Sequence, residues 1–216
     1  DYDEDYGEYY QGAIKAQRFN AQGMPQGREI SVDTFKYNGN NGNGYFDDGE
    51  GFYGSYKEAH DVAMDSDGNF IVVWDSEHQD GGNDADEYYY GIYAQRYNAN
   101  GVAIGGEFRV NNEAEGNQEN PKVALNDNGS FVVTWDSYDG DGEVYMRAFD
   151  ANGNALTDDL NLSNGNEGND YSPSIDMNSS GDVIVAWSEF EDGTHSFSGM
   201  RFLAEELTGL TNDNLF

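Results

Sequence analysis

The chain has 216 residues, with 10 lysines and arginines against 42 aspartates and glutamates, which gives a formal net charge of −32. This charge excludes a general nucleic-acid binder, because neutralising phosphates requires clustered basic side chains, and no apolar run approaches the roughly 20 residues that span a bilayer. Aromatics make up 14% of residues, Gly numbers 28 and Cys is absent, so we expect an acidic, soluble, all-β protein with many short turns.

The first predicted unit, residues 1–33, begins with the acidic and tyrosine-rich string DYDEDYGEYY. The string GAIKAQRFNAQGMPQGREISVD (12–33) then predicts two short strands separated by a Gln-Gly turn. Residues 34–56 form a Gly/Asn-rich insert. We therefore expect an N-terminal arm with a half-repeat, followed by an insert, before the regular part of the chain begins.

Three repeats follow, and they cover residues 57–111, 112–163 and 164–216. Each contains a segment that aligns without gaps: HDVAMDSDGNFIVVW, PKVALNDNGSFVVTW and PSIDMNSSGDVIVAW. An alternating strand a precedes a polar turn and an apolar strand b, and the continuous apolar run predicts a strand b that is buried on both faces. Strand b ends on a tryptophan, which we expect in the core: Trp74, Trp135 and Trp187.

Strands c and d complete each repeat, most clearly in GIYAQRYNANGVAIGGEFRVN (91–111), while strand d is degraded in the third repeat. Four antiparallel strands per repeat predict blade-like, propeller-like sheets, and a repeat-built β-sandwich is the alternative. Within the first unit, residues 12–33 match strands c and d alone. Such a half-repeat is an exposed sheet edge, and edges recruit strands from other chains.

The string DSDGNFIVVWDS…GIYAQRYNANGVAIGGEFRVN resembles a repeat family of large secreted or surface adhesin-like exoproteins of bacteria, including cyanobacteria. The resemblance covers most of the chain. It implies an extracellular or cell-surface location and a structural or adhesive role, and it brings no catalytic residues. This chain is short for such a family, and its Gly/Asn-rich insert departs from the pattern.

The loops between strands b and c are acidic, and carboxylates that alternate with glycines can converge on one hard cation. The sequence therefore predicts structural Ca²⁺ ligands in two loops: Asp136, Asp139, Asp141 and Glu143 in the second repeat, and Asp75, Asp80, Asp84 and Asp86 in the first. The alternative is a set of solvated acidic loops. A complete EF-hand pattern is missing, because no Glu follows at its twelfth position.

We expect no enzyme, because the three histidines lie in unrelated repeat positions and none accompanies a nucleophile motif. The leading hypothesis is a subunit of an extracellular filament or surface assembly that grows head to tail by strand or edge complementation, with copies of itself as partners. A calcium-dependent adhesive or glycan-binding module of a larger exoprotein is the alternative. The residues predicted at the assembly interface are Tyr2, Tyr6, Tyr9, Tyr10 and Ile14.

Overall fold

The computed structural model describes residues 13–34, 57, 59–77, 79, 89–112, 116–139, 141–163 and 168–215, with only the backbone of Asp139 and Asp141. Over these residues the fold is all-β and consists of antiparallel, blade-like sheets, which confirms the predicted fold class. The half-repeat contributes a separate two-stranded sheet of β1 (Lys15–Ala16) and β2 (Ile30–Ser31).

Three larger sheets, which we call blades, follow in chain order. Blade 1 contains β3 (His60–Met64), β4 (Phe70–Glu77), β5 (Tyr90–Tyr97) and β6 (Ala103–Arg109). Blade 2 contains β7 (Asn117–Leu125), β8 (Phe131–Asp139), β9 (Asp141–Phe149) and β10 (Leu160–Asn161). Blade 3 contains β11 (Asn169–Met177), β12 (Val183–Glu191) and β13 (Thr194–Phe202). In each blade the strands pair in chain order.

The turns that join the first two strands of each blade place a glycine in the left-handed region. Gly68, Gly129 and Gly181 have φ values of 86°, 85° and 89°. A side chain at these positions would be strained, and glycine is not. The polar turns of the repeat are therefore hairpin turns that bring each strand a beside its strand b.

The blades stack face to face, and each interface is an apolar cluster. We call the tryptophan side of a blade its front face and the opposite side its back face. The half-repeat packs Ile14 and Val32 on the front of blade 1. The back of blade 1 packs on the front of blade 2, and the back of blade 2 packs on the front of blade 3. The core therefore runs as a series of clusters between successive repeats.

One expectation for the strands is wrong. The sequence predicts that strand b of the third repeat is buried on both faces, but β12 alternates between buried and exposed residues. Val183, Val185 and Trp187 are buried, whereas Ile184 is 54% exposed. The reason is that the described residues include no further repeat on the back of blade 3, so an apolar run there has only one covered face.

The described part of the chain ends in a short 3-10 helix, Asn212–Asn214. Among the residues that the structure describes, no helix is long and apolar enough to traverse a bilayer.

Candidate functional site

The three tryptophans occupy equivalent positions on the front faces. Trp74 pairs with Tyr93 across the sheet, and Trp135 pairs with Tyr145. Their rings stack with centroids 6.4 Å and 6.1 Å apart, respectively. Trp187 is buried as well, but it lies opposite Ser198, and its indole Nε1 donates to Asp170 Oδ1 at 3.1 Å. In each blade the tryptophan thus lies on the face of the sheet that packs on the preceding repeat.

Buried carboxylates connect the blades near the starts of strands β3, β7 and β11. Asp75 Oδ1 accepts a hydrogen bond from the backbone of Ala59 at 3.0 Å, and Asp75 Oδ2 lies 3.4 Å from the backbone nitrogen of Asn120. Asn120 Nδ2 in turn donates to Asp136 Oδ2 at 2.8 Å. Asn120 has a φ of 54°, a conformation that Asn tolerates better than most residues. A bulge residue of blade 2 therefore bridges an acid of blade 1 and an acid of its own blade.

This environment is apolar enough to perturb Asp136. Burial raises the pKa of Asp136 to about 6, and the hydrogen bond from Asn120 acts in the opposite direction. Oδ1 of Asp136 has no hydrogen-bond partner among the described residues. The carboxylate is therefore a structural acceptor whose ionisation is costly.

A second polar contact recurs at each junction between repeats, where the end of one repeat meets the start of the next. In the half-repeat, Asp33 accepts the backbone N–H of Ile14 at 2.7 Å, and its other oxygen lies 3.4 Å from Lys57 Nζ. In blade 1, Asn111 accepts the N–H of Ile92 and donates to Gln118 at 2.9 Å. We call these contacts junction latches.

The latch between blades 2 and 3 uses different chemistry again. Ser163 Oγ accepts the backbone N–H of Val144 at 3.1 Å and donates to Asn161 Oδ1 at 3.0 Å. Burial raises the pKa of Asp170 to about 6, and repulsion from Glu189 and Glu143 adds to this effect. The hydroxyl of Ser163 lowers this pKa. The same topological position thus holds an ion pair, an amide pair and a hydroxyl–carboxylate pair.

The predicted calcium ligands divide into two groups. Asp75 and Asp136 are buried and receive the hydrogen bonds described above, and Glu143 Oε2 accepts the hydroxyl of Tyr145 at 2.8 Å. The side chains of Asp139 and Asp141, together with Asp80, Asp84 and Asp86, lie outside the described residues. Among the side chains that are described, no group of three or more acids and histidines is placed to hold a metal ion. Calcium binding stays a prediction that depends on the loop acids.

The predicted assembly residues are also divided. Tyr2, Tyr6, Tyr9 and Tyr10 lie outside the described residues. Ile14 is buried against the front of blade 1. Its side chain belongs to a contact within the chain, because strand β1 turns its apolar side toward β4 and β5. We therefore assign Ile14 to the core and not to an interface.

The structure instead exposes apolar side chains at both ends of the stack. On the front of blade 1, Val62 and Met64 are 59% and 69% exposed, whereas Val123, which matches Val62, is 6% exposed. On the back of blade 3, Phe197 is 84% exposed, and its equivalents Ile92 and Val144 are both fully buried. The front of blade 1 and the back of blade 3 therefore have apolar residues at the same positions as the interior faces, but no neighbouring sheet among the described residues buries them.

Sequence reasoning missed the residues on the back of blade 3. Ile184, Phe197 and Arg201 occupy the positions of Ile71, Ile92 and Arg96 in blade 1. Alignment of the third repeat with the first already contains this equivalence. The equivalence does not predict an exposed surface until it is known that the back face of one blade packs on the front face of the next.

Comparisons with known proteins identify no family for the chain. No family model and no curated protein matches it. Among solved structures, it is similar to an endo-arabinase from Bacteroides thetaiotaomicron, with 12% identity, a TM-score of 0.39, and coverage of 69% of this chain and 54% of that one. A glycosyl hydrolase from Bacteroides ovatus gives 12% identity, a TM-score of 0.39, and coverage of 68% and 49%.

A complex of KlAtg21 with the coiled coil of AgAtg16 is also similar, with 11% identity, a TM-score of 0.36, and coverage of 61% and 39%. The chain thus spans about half the length, or less, of the three structures named here. Similarity at this level assigns neither an activity nor a substrate to the chain.

Proposed function

We propose that the chain is a structural subunit of an extracellular filament or surface assembly, in which copies of the chain join head to tail. The observation behind the proposal is that apolar side chains are exposed on the front of blade 1 and on the back of blade 3. The half-repeat has strands of the c and d type, and the described residues provide no a and b strands beside it. The missing pair would lie over Val62 and Met64, which are 59% and 69% exposed.

Strand β1 supports the same proposal through its backbone. It pairs with β2 on one side, and its other edge has no partner strand among the described residues. An open edge beside exposed apolar side chains is a template for another chain, because added strands satisfy backbone groups and cover the apolar surface together. A contact between two different ends of the molecule is heterologous, and it gives an open filament unless the rotation closes.

The net charge of −32 opposes this association at long range. Salt screens such repulsion beyond about 10 Å at 0.1 M. Calcium bound in the acidic loops would lower it further, so we propose that both salt and calcium favour growth. The N-terminal tyrosine arm remains part of the proposed interface.

The test is light scattering and negative-stain imaging of the whole chain at increasing concentration, with salt, with calcium and with excess chelator. The double variant V62T/M64Q should assemble less, because it removes the apolar surface that a neighbour would cover. The control V102T/I104Q makes the same kind of change at exposed positions of the outer strand β6 and its preceding turn. Assembly that is equal in both variants would contradict the proposed role of this face, and a wild-type chain that stays monomeric would overturn the filament itself.

The calcium component has its own measurement. A cation that binds only the folded chain raises the melting temperature by mass action. D139N/D141N should remove most of the difference between melting curves in calcium and in chelator. Equal curves for the wild type would exclude a structural calcium site.

One observation favours the alternative, a glycan-binding module. Phe190 and His195 lie side by side on the back of blade 3, with ring centroids 4.7 Å apart, and Tyr171 Oη lies 3.0 Å from His195 Nδ1. Exposed aromatic rings on a sheet can stack on sugar rings. Titration of the monomer with oligosaccharides, monitored by tryptophan fluorescence and compared with H195A, would distinguish this function from assembly.

A further inference from the structure

An arginine on the back of one repeat contacts the c–d turn of the next repeat, and this contact recurs along the chain. In blade 1, Arg96 donates Nη1 to the carbonyl of Ala151 and Nη2 to the carbonyl of Asn152, both at 2.6 Å. These carbonyls belong to the turn between β9 and β10. The guanidinium fork therefore holds the turn by two backbone carbonyls at once.

The half-repeat also places an arginine beside the c–d turn of blade 1, although among the described residues this arginine makes no hydrogen bond to the turn carbonyls. Arg18 aligns with Arg96 in the strings AQRFNAQG and AQRYNANG. A β-carbon added to Gly101, in the c–d turn of blade 1, would lie 3.1 Å from Arg18 Nη1. Likewise, a β-carbon added to Gly153, in the c–d turn of blade 2, would lie 3.2 Å from Arg96 Nε. Both glycine turns are thus covered by the arginine of the preceding repeat.

The junction between blades 2 and 3 lacks this arginine, since Ala148 stands in its place. A cavity of about 330 Å³ lies there, and its lining includes Ala148, Ala151, Gly181 and Ala204. Side chains of the two blades leave this space empty where the other junctions place a guanidinium.

Blade 3 has the arginine again, as Arg201, and the described residues place no following c–d turn beside it. Arg201 pairs with Ile184 across the sheet, as Arg96 pairs with Ile71. It forms an exposed salt bridge with Asp182 at 3.0 Å. An exposed pair of this kind contributes little to stability, typically about 0–1 kcal/mol. Arg201 can therefore exchange Asp182 for another partner with little loss of folding free energy.

Among the described residues, the c–d turn of the half-repeat likewise has no arginine of a preceding repeat against it. The turn of the half-repeat, residues 20–23, has the sequence NAQG, and a β-carbon on Gly23 would meet no atom within 4 Å. The half-repeat and blade 3 differ in charge over the residues that the structure describes. Residues 13–34 carry three basic and two acidic side chains, whereas residues 168–215 carry nine acidic and one basic. Residues 13–34 are thus slightly positive, whereas residues 1–12 before them carry five acidic side chains and no basic one.

We propose that Arg201 of one copy binds the turn at Ala21 and Gln22 of a second copy, with the guanidinium donating to the two backbone carbonyls as Arg96 does at Ala151 and Asn152. Phe197, which lies on β13 on the same back face as Arg201, then faces the half-repeat of the neighbour. This inference rests on the proposed head-to-tail assembly and names its contact.

The test is a charge-reversal experiment on assembly of the full chain. R201E and A21R should each raise the concentration needed for assembly at least about tenfold, a change of about 1.4 kcal/mol per contact. R201E removes the guanidinium donors and places a carboxylate against the turn carbonyls. A21R places a second cation beside Arg201. The double variant R201E/A21R should recover assembly, because each junction then pairs opposite charges.

D182N is the matched control, since it removes the present partner of Arg201 and leaves the arginine. It should assemble at least as readily as the wild type. If the wild type assembles and the single variants assemble equally well, the Arg201 contact is wrong while the filament proposal stands. If the single variants fail and the double variant fails equally, the specific pairing is also wrong. A wild type that never assembles would overturn both.

Discussion

Blades 2 and 3 have the same strand pattern in sequence but different surroundings in space. Blade 2 lies between two blades, and both faces of β8 are buried. Among the described residues, blade 3 has a neighbouring blade on its front only, and the back of β12 is exposed. An apolar run in the sequence therefore specifies a strand, but both faces of that strand are buried only when a neighbouring repeat packs on each of them. An uncovered second face is therefore the most direct sign of a missing neighbour.

Truncation of a side chain in the interior of the stack should destabilise the fold the most. Trp135→Ala removes a side chain that is 1% exposed, and it should lower the free energy of unfolding by about 3–5 kcal/mol. Phe197→Ala, on the uncovered face of blade 3, should change it by no more than about 0.5 kcal/mol in the monomer. Urea denaturation of both variants measures the difference. Similar losses for the two would mean that the back of blade 3 is covered within the chain.

The second prediction compares the first two junction latches. Lys57→Gln leaves the buried carboxylate of Asp33 without its cation, and removal of one partner of a buried ion pair costs about 3–5 kcal/mol. The double variant K57Q/D33N reproduces the Asn111–Gln118 pair of the next junction, and it should be much closer to the wild type. A double-mutant cycle by urea denaturation gives the coupling. Additive losses would show that the two side chains do not act as one latch.

The third prediction uses the same residue type at equivalent positions of two blades. Ile71 and Ile184 both lie on a back face, and they are 1% and 54% exposed. Ile71→Ala should cost about 2–5 kcal/mol, because it leaves a cavity between blades 1 and 2. Ile184→Ala should cost little in the monomer. Under assembling conditions, the second variant should instead shift the monomer–polymer balance, which sedimentation would detect.

The sequence predicts the blades well because their signals are local. Alternation in strand a, a glycine turn and an apolar run ending on Trp135 all lie within 15 residues of one another. Hairpins need only such neighbours to form. The front and back faces also follow from alternation once the strands are known.

The remaining features depend on pairs of residues that are distant in sequence. The latch of Asp33 and Lys57 spans the Gly/Asn-rich insert, and the contact of Arg96 with Ala151 spans 55 residues. No local pattern marks Asn120 as a left-handed residue that bridges two acids. The exposed back of blade 3 was missed for the same reason, since exposure is a property of the neighbour and not of the strand.

The last and smallest effect is the pH dependence of the junction between blades 2 and 3. Asp170 has a folded-state pKa of about 6, above its unfolded value, because it is buried near Glu189 and Glu143. Between about pH 4 and pH 6 the folded chain therefore binds more protons at this site than the unfolded chain, so stability decreases as pH rises. Asp136 contributes in the same direction.

Asp170→Asn keeps an acceptor for Trp187 Nε1 without the charge, and it should raise stability at pH 7 by about 1–2 kcal/mol. Urea midpoints at pH 4.5 and pH 7 should then differ less than in the wild type, while the exposed control Asp176→Asn should keep the wild-type difference. An unchanged pH dependence in Asp170→Asn would mean that the Ser163–Asp170 latch tolerates the ionised carboxylate.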